Sequence, residues 1–383
     1  MANEPSQLSH AKPSKIFYAK NFDKFLFLFV LLLLVVGLMC LFSSSHAYAN
    51  YYENDSYFYI KKQLVFALIG LLVMFAASIV DYHIYHKFAA MFYGVSVFLL
   101  VLVLAMPSST GVHRWIYLPV INNFQPSELA KFAIILLFAH IISLNYKSMG
   151  NTKMFFITMA LLGVVCGLTI IEPHLSGTIL LAGIGIIMLF VGGINRPLLG
   201  LCIAAGIAAV AFLVFVKGYE HDRIEVWLDP MGTFAKDRDQ AWQTVQSLFA
   251  IGSGGIVGLG IGNSRQKHLF LPEPQNDFIY SVICEELGFV GALIVIVLFL
   301  CLIIKGLSIA RRANDKFGSM IALGITAQIF IQLLLNIAVV TNSMPNTGIG
   351  LPFFSYGGTS LIMLLGEIGV LFSVSRQAKK RVK

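Results

Sequence analysis

Charge is what this chain has least of. Only 12% of its 383 residues are Asp, Glu, Lys or Arg, against 57% hydrophobic, and mean hydropathy is +0.81. A soluble protein of this length could not hide so much apolar surface, so a soluble enzyme or binding module is excluded. Acids are scarcer than bases, 19 against 27, and the net +8 invites a nucleic-acid reading. The basic residues are spread over short polar stretches and the two ends rather than clustered, so no nucleic-acid partner is expected. Cysteine is sparse as well. Cys40, Cys166, Cys202, Cys284 and Cys301 all lie in apolar runs, are odd in number and lack metal-ligand spacing. They read as small buried residues. No internal repeat and no appended soluble domain is visible.

What the chain does have is a series of long apolar runs. Stretches of about 18 or more such residues read as membrane-spanning helices. Ten are expected, near 24–43, 63–81, 88–106, 126–144, 154–171, 177–194, 198–217, 279–304, 317–341 and 359–375. The predicted fold class is an all-α polytopic membrane protein. The first run, Phe25 to Phe42, precedes Ala47-Tyr48-Ala49, which resembles a signal cleavage site. The run is longer than the usual h-region of about 7–15 residues and follows a long polar lead, so an uncleaved anchor is expected.

Lys and Arg in short loops set the orientation. One face carries Lys12, Lys15, Lys20, Lys24, Lys87, Lys147, Lys153 and Arg196, then Lys305, Arg311, Arg312, Lys316 and the tail RQAKKRVK. The short loops of the other face hold little beyond Lys61, Lys62 and Arg114. Both termini are therefore expected in the cytoplasm and the long segment 218–278, between spans seven and eight, outside. Residues 1–23 would be a cytoplasmic lead, 24–375 one membrane domain, and 376–383 a basic tail near anionic lipid.

Long loops in compact domains are usually functional. Within 218–278, QAWQTVQSLFAIG reads as a helix with Trp242, Val245, Leu248 and Phe249 on one face and Asp239 placed to cap it. It either lies in the membrane interface or packs on the outer end of the bundle. GSGGIVGLGIG has six glycines but no preceding strand, so it is not a dinucleotide site. Its glycines allow close backbone approach, to a helix or to a ligand phosphate. Arg265 and Lys267 follow, then LPEPQNDFIYSVICEELG. Asp277 stands where polar loop becomes apolar span. It is either a carboxylate of raised pKa, suited to a general base, or the cap of a helix starting at Phe278. Glu285 and Glu286 fall inside the apolar run, where an acid is costly and needs a cavity or a partner.

Three further clusters reach the same end. GVHRWIYLPVINNFQPSELAKFA holds Arg114, then Pro126 in a first helical turn, then Glu128 and Lys131 on one helix face. The Glu128/Lys131 pair is either a plain ion pair or the polar wall of a pocket. Glu172 and His174 sit in the tight connection EPHLSG. TNSMPNTGIGLPFFSYGGTSL, with Ser355 and Tyr356, is rich in Pro and Gly. Such irregular backbone survives at membrane depth only when buried or lining a cavity. The convergence of all four clusters on one outward end suits a catalytic pocket. A lipid flippase is the alternative, although transporter sites lie near the midplane. A non-catalytic scaffold would not need a poised acid.

FQPSELAK, IGSGGIVGLGIGNSRQK, LPEPQNDFIYSVICEELGFVG and LPFFSYGGTSL together resemble the SEDS proteins of shape, elongation, division and sporulation, over roughly residues 20 to 376. GNSRQK with LPEP looks more like the FtsW/SpoVE branch than the RodA branch. The resemblance implies a ten-span peptidoglycan glycosyltransferase of the cytoplasmic membrane. Such an enzyme polymerises lipid II, an undecaprenyl-pyrophosphate glycan, with inversion at the sugar. It would pair with a class B penicillin-binding protein, the transpeptidase, among other division or sporulation membrane proteins. Asp277 matches the family's essential acid, and Glu128 and Lys131 match its pocket pair. Arg114, Glu172, His174, Arg265, Lys267, Ser355 and Tyr356 are expected to contact substrate, and Asp277 to share a Mg²⁺ or Mn²⁺ ion. The family's Q-P-D-L-G-T reads here Glu172-Pro173-His174-Leu175-Ser176-Gly177-Thr178, with His in place of Asp and an inserted Ser. Its H-T-D reads Gln275-Asn276-Asp277.

Overall fold

The computed structural model describes residues 22–106, 114–118, 122–172, 174–215 and 221–378. Seven helices come first: α1 (Lys24–Glu53), α2 (Phe58–Ile79), α3 (His83–Ala105), α4 (Pro126–Asn145), α5 (Thr152–Ile171), α6 (Leu175–Gly192) and α7 (Arg196–Phe215). Short helices α8 (His221–Leu228), α9 (Pro230–Lys236) and α10 (Arg238–Gly254) precede α11 (Ile279–Arg312), α12 (Lys316–Val340) and α13 (Gly358–Gln377). A two-stranded antiparallel hairpin, β1 (Ile116–Leu118) and β2 (Asn122–Phe124), leads into α4.

Among the described residues, nine helices are long and apolar enough to cross a bilayer. Each overlaps one of the ten expected spans, although α1 runs on to Glu53 beyond the expected end at 43 and α11 to Arg312 beyond 304. The seventh expected span, 198–217, meets α7, which is 20 residues long. Its end lies outside the described residues, and the apolar helix measured within them is Arg196–Ala208. The helix ends follow local chemistry. The Asp23 carboxylate accepts from Leu26 N–H at 3.2 Å to start α1, and Pro126 occupies the first turn of α4. The Asp315 carboxylate accepts from Gly318 N–H at 2.8 Å to start α12.

The bundle is layered. In α4 every residue from Ala130 to Ala139 is buried, and α12 and α13 are mostly buried too. The outer helices α1, α2, α3 and α5 leave Leu, Val, Ile and Phe side chains facing outward, as lipid contact demands. α2 and α13 form the most extensive helix pair. A Cβ on Gly369 would lie 2.4 Å from the Met74 carbonyl, and one on Gly70 2.5 Å from Leu365. Small residues set that distance, since close packing rather than hydrophobicity drives association in lipid. Cys284 is buried, as expected of the cysteines, but Cys202 on α7 is exposed and Cys40, Cys166 and Cys301 are half-buried. The same cause applies: in lipid an apolar segment has no need to turn its small residues inward.

The expected loop helix exists as α10, with two corrections. Its cap is Asp237, whose carboxylate accepts from Asp239 and Gln240 N–H, rather than Asp239. Its buried residues are Ala241, Thr244, Val245, Gln246, Ser247, Ala250 and Gly254, while Phe249 is exposed. α10 packs on α11, with Ser247 and Ser281 hydroxyls 2.7 Å apart. Ser247, Ser253 and Gly254 meet α11, while Ala241 and Val245 pack on Val226 of α8 and Phe234 of α9, so packing on the bundle end is the observed arrangement.

α11 is broken at Gly288, where φ is 66° and ψ −170°. The glycine-rich stretch fills the break. Leu259 N–H donates to Glu285 O at 3.0 Å, Gly260 N–H to Glu286 O at 2.9 Å, and Phe289 N–H to Gly255 O at 2.9 Å. A Cβ on Gly254 would meet the Cys284 carbonyl at 2.0 Å and one on Gly258 the Glu286 carbonyl at 2.2 Å. These glycines therefore serve approach to a helix, satisfying backbone groups that the kink frees.

Candidate active site

Two chain segments frame a cavity of about 460 Å³ at the end of the bundle that carries α10. The first runs through LPEPQND to the start of α11; the second runs from Thr347 to Gly357. They are stitched together. Tyr356 N–H donates to Gln275 O at 2.8 Å, and the Ser355 hydroxyl donates to Asn276 O at 2.7 Å while accepting from Leu351 N–H at 2.7 Å. Asn336 of α12 donates to Asp277 O at 2.8 Å and to Ile349 O at 2.7 Å. Glu273 and Phe353 hold positive φ, 43° and 67°. Bulky residues adopt that region only when the surroundings enforce it, at about 1–3 kcal/mol each.

Asp277 lines this cavity. α11 begins at Ile279 with Phe278 as its cap residue and no side-chain cap bond, so the capping alternative fails. Its carboxylate faces Gly348 and Gly350: Cβ atoms there would lie 3.1 Å from Oδ2 and 3.9 Å from Oδ1. No side chain among the described residues forms an ion pair with it. Burial, with Glu273's negative charge added, pushes its pKa up to about 6, and the positive Arg114 opposes the rise.

Glu128 and Lys131 both line the cavity and pair at 2.8 Å, with side chains 12% and 5% exposed. They are at once an ion pair and a pocket wall. Arg114, His174, Ser355 and Tyr356 line it too. Burial, with the positive charges of Arg114 and Lys131, pushes His174 down to about 3, so its imidazole is neutral at physiological pH. Its Nδ1 lies 3.4 Å from the Ser127 hydroxyl, and Gly177 leaves it room, because a Cβ there would sit 2.6 Å from the ring.

Three expected contacts are not in the cavity. Glu172 is fully buried and does not line it, and neither of its carboxylate oxygens has a hydrogen-bond partner among the described residues. Its backbone carbonyl accepts from Arg114 Nε at 3.3 Å. Burial pushes the Glu172 pKa up to about 8 against Arg114's opposing charge. Lys267 is 4% exposed and pairs with Glu286 at 2.7 Å, while the Ser43 hydroxyl donates to the same carboxylate at 2.7 Å. Arg265 is exposed, and its backbone N–H donates to Glu285 at 2.9 Å. A buried cation must find a buried anion, so Lys267 goes to Glu286 rather than to a ligand.

The chain also holds cavity residues that the motifs do not single out. Gln328 and Gln332 of α12 line the floor, and Gln328 donates to Glu367 of α13 at 2.8 Å. Glu367 is 1% exposed, and Lys131 and Glu128 are the charges acting on it. The signal was readable: Gln328, Gln332 and Asn336 recur every four residues in an apolar run, and polar groups at membrane depth need a cavity or partner. No three His, Cys, Asp or Glu side chains among the described residues form a metal cage. Mg²⁺ needs no such cage, since one or two carboxylates plus substrate phosphates suffice, and Asp277 offers one.

A helical membrane bundle with a half-buried acid on a polar pocket is the architecture of a membrane-embedded enzyme or transporter. The chain belongs to the FtsW/RodA/SpoVE family of cell cycle proteins, whose family model matches residues 23–380. It is 38% identical to stage V sporulation protein E of Bacillus subtilis (strain 168), over 93% of this chain and 98% of that one. It is 36% identical to a probable peptidoglycan glycosyltransferase FtsW of Geobacter sp. (strain M18), over 94% and 98%. Its fold matches a chain from a structure of a peptidoglycan synthase complex that coordinates polymerization and crosslinking, with TM-score 0.78, 26% identity and coverage of 93% and 98%. It also matches the fold of the rod shape determining protein RodA of Thermus thermophilus, with TM-score 0.70, 24% identity and coverage of 94% and 98%.

Proposed function

We infer that this chain is a peptidoglycan glycosyltransferase that polymerises lipid II during septum synthesis in division or sporulation. The observation that carries the reading is Asp277, an acid of raised pKa with no ion-pair partner among the described residues, opening on a polar cavity. The acceptor's sugar 4-hydroxyl attacks C1 of the donor's sugar. Asp277 takes the hydroxyl proton as the new C–O bond forms and the C1–O bond to undecaprenyl pyrophosphate breaks. A base of this kind contributes about 10²–10⁴-fold in rate. The leaving pyrophosphate needs positive charge, not a proton, and Arg114 and Lys131 are the cavity's cations. Glu128 holds Lys131 in place, and neutral His174 with Ser127, Ser355 and Tyr356 offers hydrogen bonds to the sugars. A Mg²⁺ or Mn²⁺ ion bound by Asp277 and the substrate would add Lewis-acid stabilisation of the leaving group.

The remaining features of the proposal follow from this chemistry. Ten spans form one domain, 24–375, in the cytoplasmic membrane, with both termini inside and 218–278 outside, where lipid-linked sugars are exposed. The partner is a class B penicillin-binding protein, which would crosslink the strands. The test is purified chain with such a partner on labelled lipid II, run beside a vesicle flipping assay. Glycan ladders are expected, suppressed by chelator if the cation takes part. Lipid II movement without polymer, with any partner, would instead mean a flippase.

A further inference from the structure

A second cavity of about 570 Å³ opens beside the first. Its wall joins the C-terminal end of α1, through Tyr48 and Tyr52, to the start of α10, through Asp239, Trp242 and Gln243, and to Glu273. Glu273 lines both cavities. Gln243 accepts from Asn346 Nδ2 at 3.2 Å, which ties the second wall to the segment that faces Asp277. Aromatic rings bridge the two spaces. Tyr356, in the first cavity, meets Tyr59 edge-on at 4.9 Å between centroids; Tyr59 lies 6.2 Å from Tyr48, and Tyr48 4.4 Å from Tyr52. Trp242 is anchored by its indole N–H to Phe270 O, and Tyr52 is 59% exposed.

We propose that this second cavity is a saccharide subsite that holds the growing β-linked N-acetylhexosamine chain as it leaves the reaction cavity. The proposal rests on the glycosyltransferase reading. Pyranose rings carry apolar C–H faces and a rim of hydroxyls. Tyr and Trp present rigid, amphipathic surfaces at low entropy cost, which suits stacking on those faces. Asp239, Glu273 and Gln243 supply acceptors for the hydroxyls. The cavity volume falls in the range of ligand pockets, about 300–1,000 Å³. Continuity through Glu273 and the tyrosine series gives the strand a path from Asp277 outward. A product held this way stays with the enzyme for the next addition, so the subsite sets chain length.

The test uses the full chain and a lipid-free, peptide-stripped oligomer of the same glycan, with binding followed by calorimetry. Tyr52→Ala and Asp239→Ala are each expected to weaken binding about two- to tenfold, the size of one lost ring or polar contact. Tyr52→Phe should bind like the parent, because it keeps the ring. At matched lipid II consumption, Tyr52→Ala should make shorter glycans. Unchanged binding and unchanged chain length in both variants would overturn the subsite while leaving the polymerase reading intact. Glycan binding lost in the variants, with no polymer from any partner, would overturn the polymerase reading and keep the subsite. Binding of a cationic stem peptide without any binding of the bare glycan would make the cavity a peptide site and overturn the proposal.

Discussion

Asp277 and the Glu285/Glu286 pair stand only eight or nine residues apart, and the fold treats them in opposite ways. Glu285 accepts from the Arg265 and Gln266 backbones and from the Ser253 and Ser264 hydroxyls. Glu286 is neutralised by Lys267 and held by Ser43. Together they fasten the loop 253–267 to the broken helix α11. Asp277 forms no ion pair among the described residues and caps no helix, and it looks into a cavity. An acid whose partners are all internal contributes to structure. An acid left partly uncompensated next to open space is available for chemistry.

The largest effect should come from removing the uncompensated acid. Asp277→Asn is expected to lower the rate of glycan formation by at least about 10²-fold, the contribution of a general base, with insertion and partner binding kept. Its stability should not fall. A carboxyl whose folded pKa of about 6 exceeds its ordinary 3.8 stabilises the fold below pH 3.8 and loses that contribution as pH rises through 6. Asn never ionises and so never incurs that loss. Near-parental glycan ladders from this variant would remove Asp277 from the mechanism.

The opposite pattern is expected of Glu286. Glu286→Ala leaves Lys267 charged and buried, which costs about 3–5 kcal/mol, read as a lowered Tm in detergent. Glu286→Leu combined with Lys267→Met should recover most of the loss, because an apolar pair avoids the desolvation that the ion pair must offset. If Glu286→Ala instead keeps its Tm and stops polymerisation, the two regions do not differ in the way described.

The smallest effect is in the pH profile. Asp277 must be ionised to accept a proton, so the rate should fall about tenfold per pH unit below 6 and level off above it. His174, with a value near 3, should add no step between pH 5 and 8. A profile flat to pH 4.5 would mean that the base is an acid of ordinary pKa.

Much of this was legible from residues alone. Hydropathy located the spans, because a helix in lipid must be apolar over its whole length. Pro126 at the first turn of α4, the Glu128/Lys131 pair and the role of the glycines as close-approach positions follow from local rules. Arg265 and Lys267, expected to contact substrate, lie outside the lining of the cavity, and nothing near them in sequence reveals that Lys267 meets Ser43 of α1, 224 residues away. The cap of α10 shifted by two residues because Asp237 and Asp239 are equally good caps on local grounds. Its buried residues departed from the expected stripe because α10 is covered from two sides, by α11 at Ser247 and Gly254 and by α8 and α9 at Ala241 and Val245.

The sequence by itself determined a helical membrane chain, the approximate places of its spans, and the set of polar motifs from which a site could be built. These depend on period, length and capping, which are properties of neighbouring residues. Only the tertiary structure decided which acid is free and which is spent. It joined Asn336, Ser355 and Gly348 around Asp277, and it gave Lys267 to Glu286. The physical reason is that the charge state and reactivity of a carboxylate depend on the few groups within hydrogen-bond reach, and here those groups come from helices far apart in the chain.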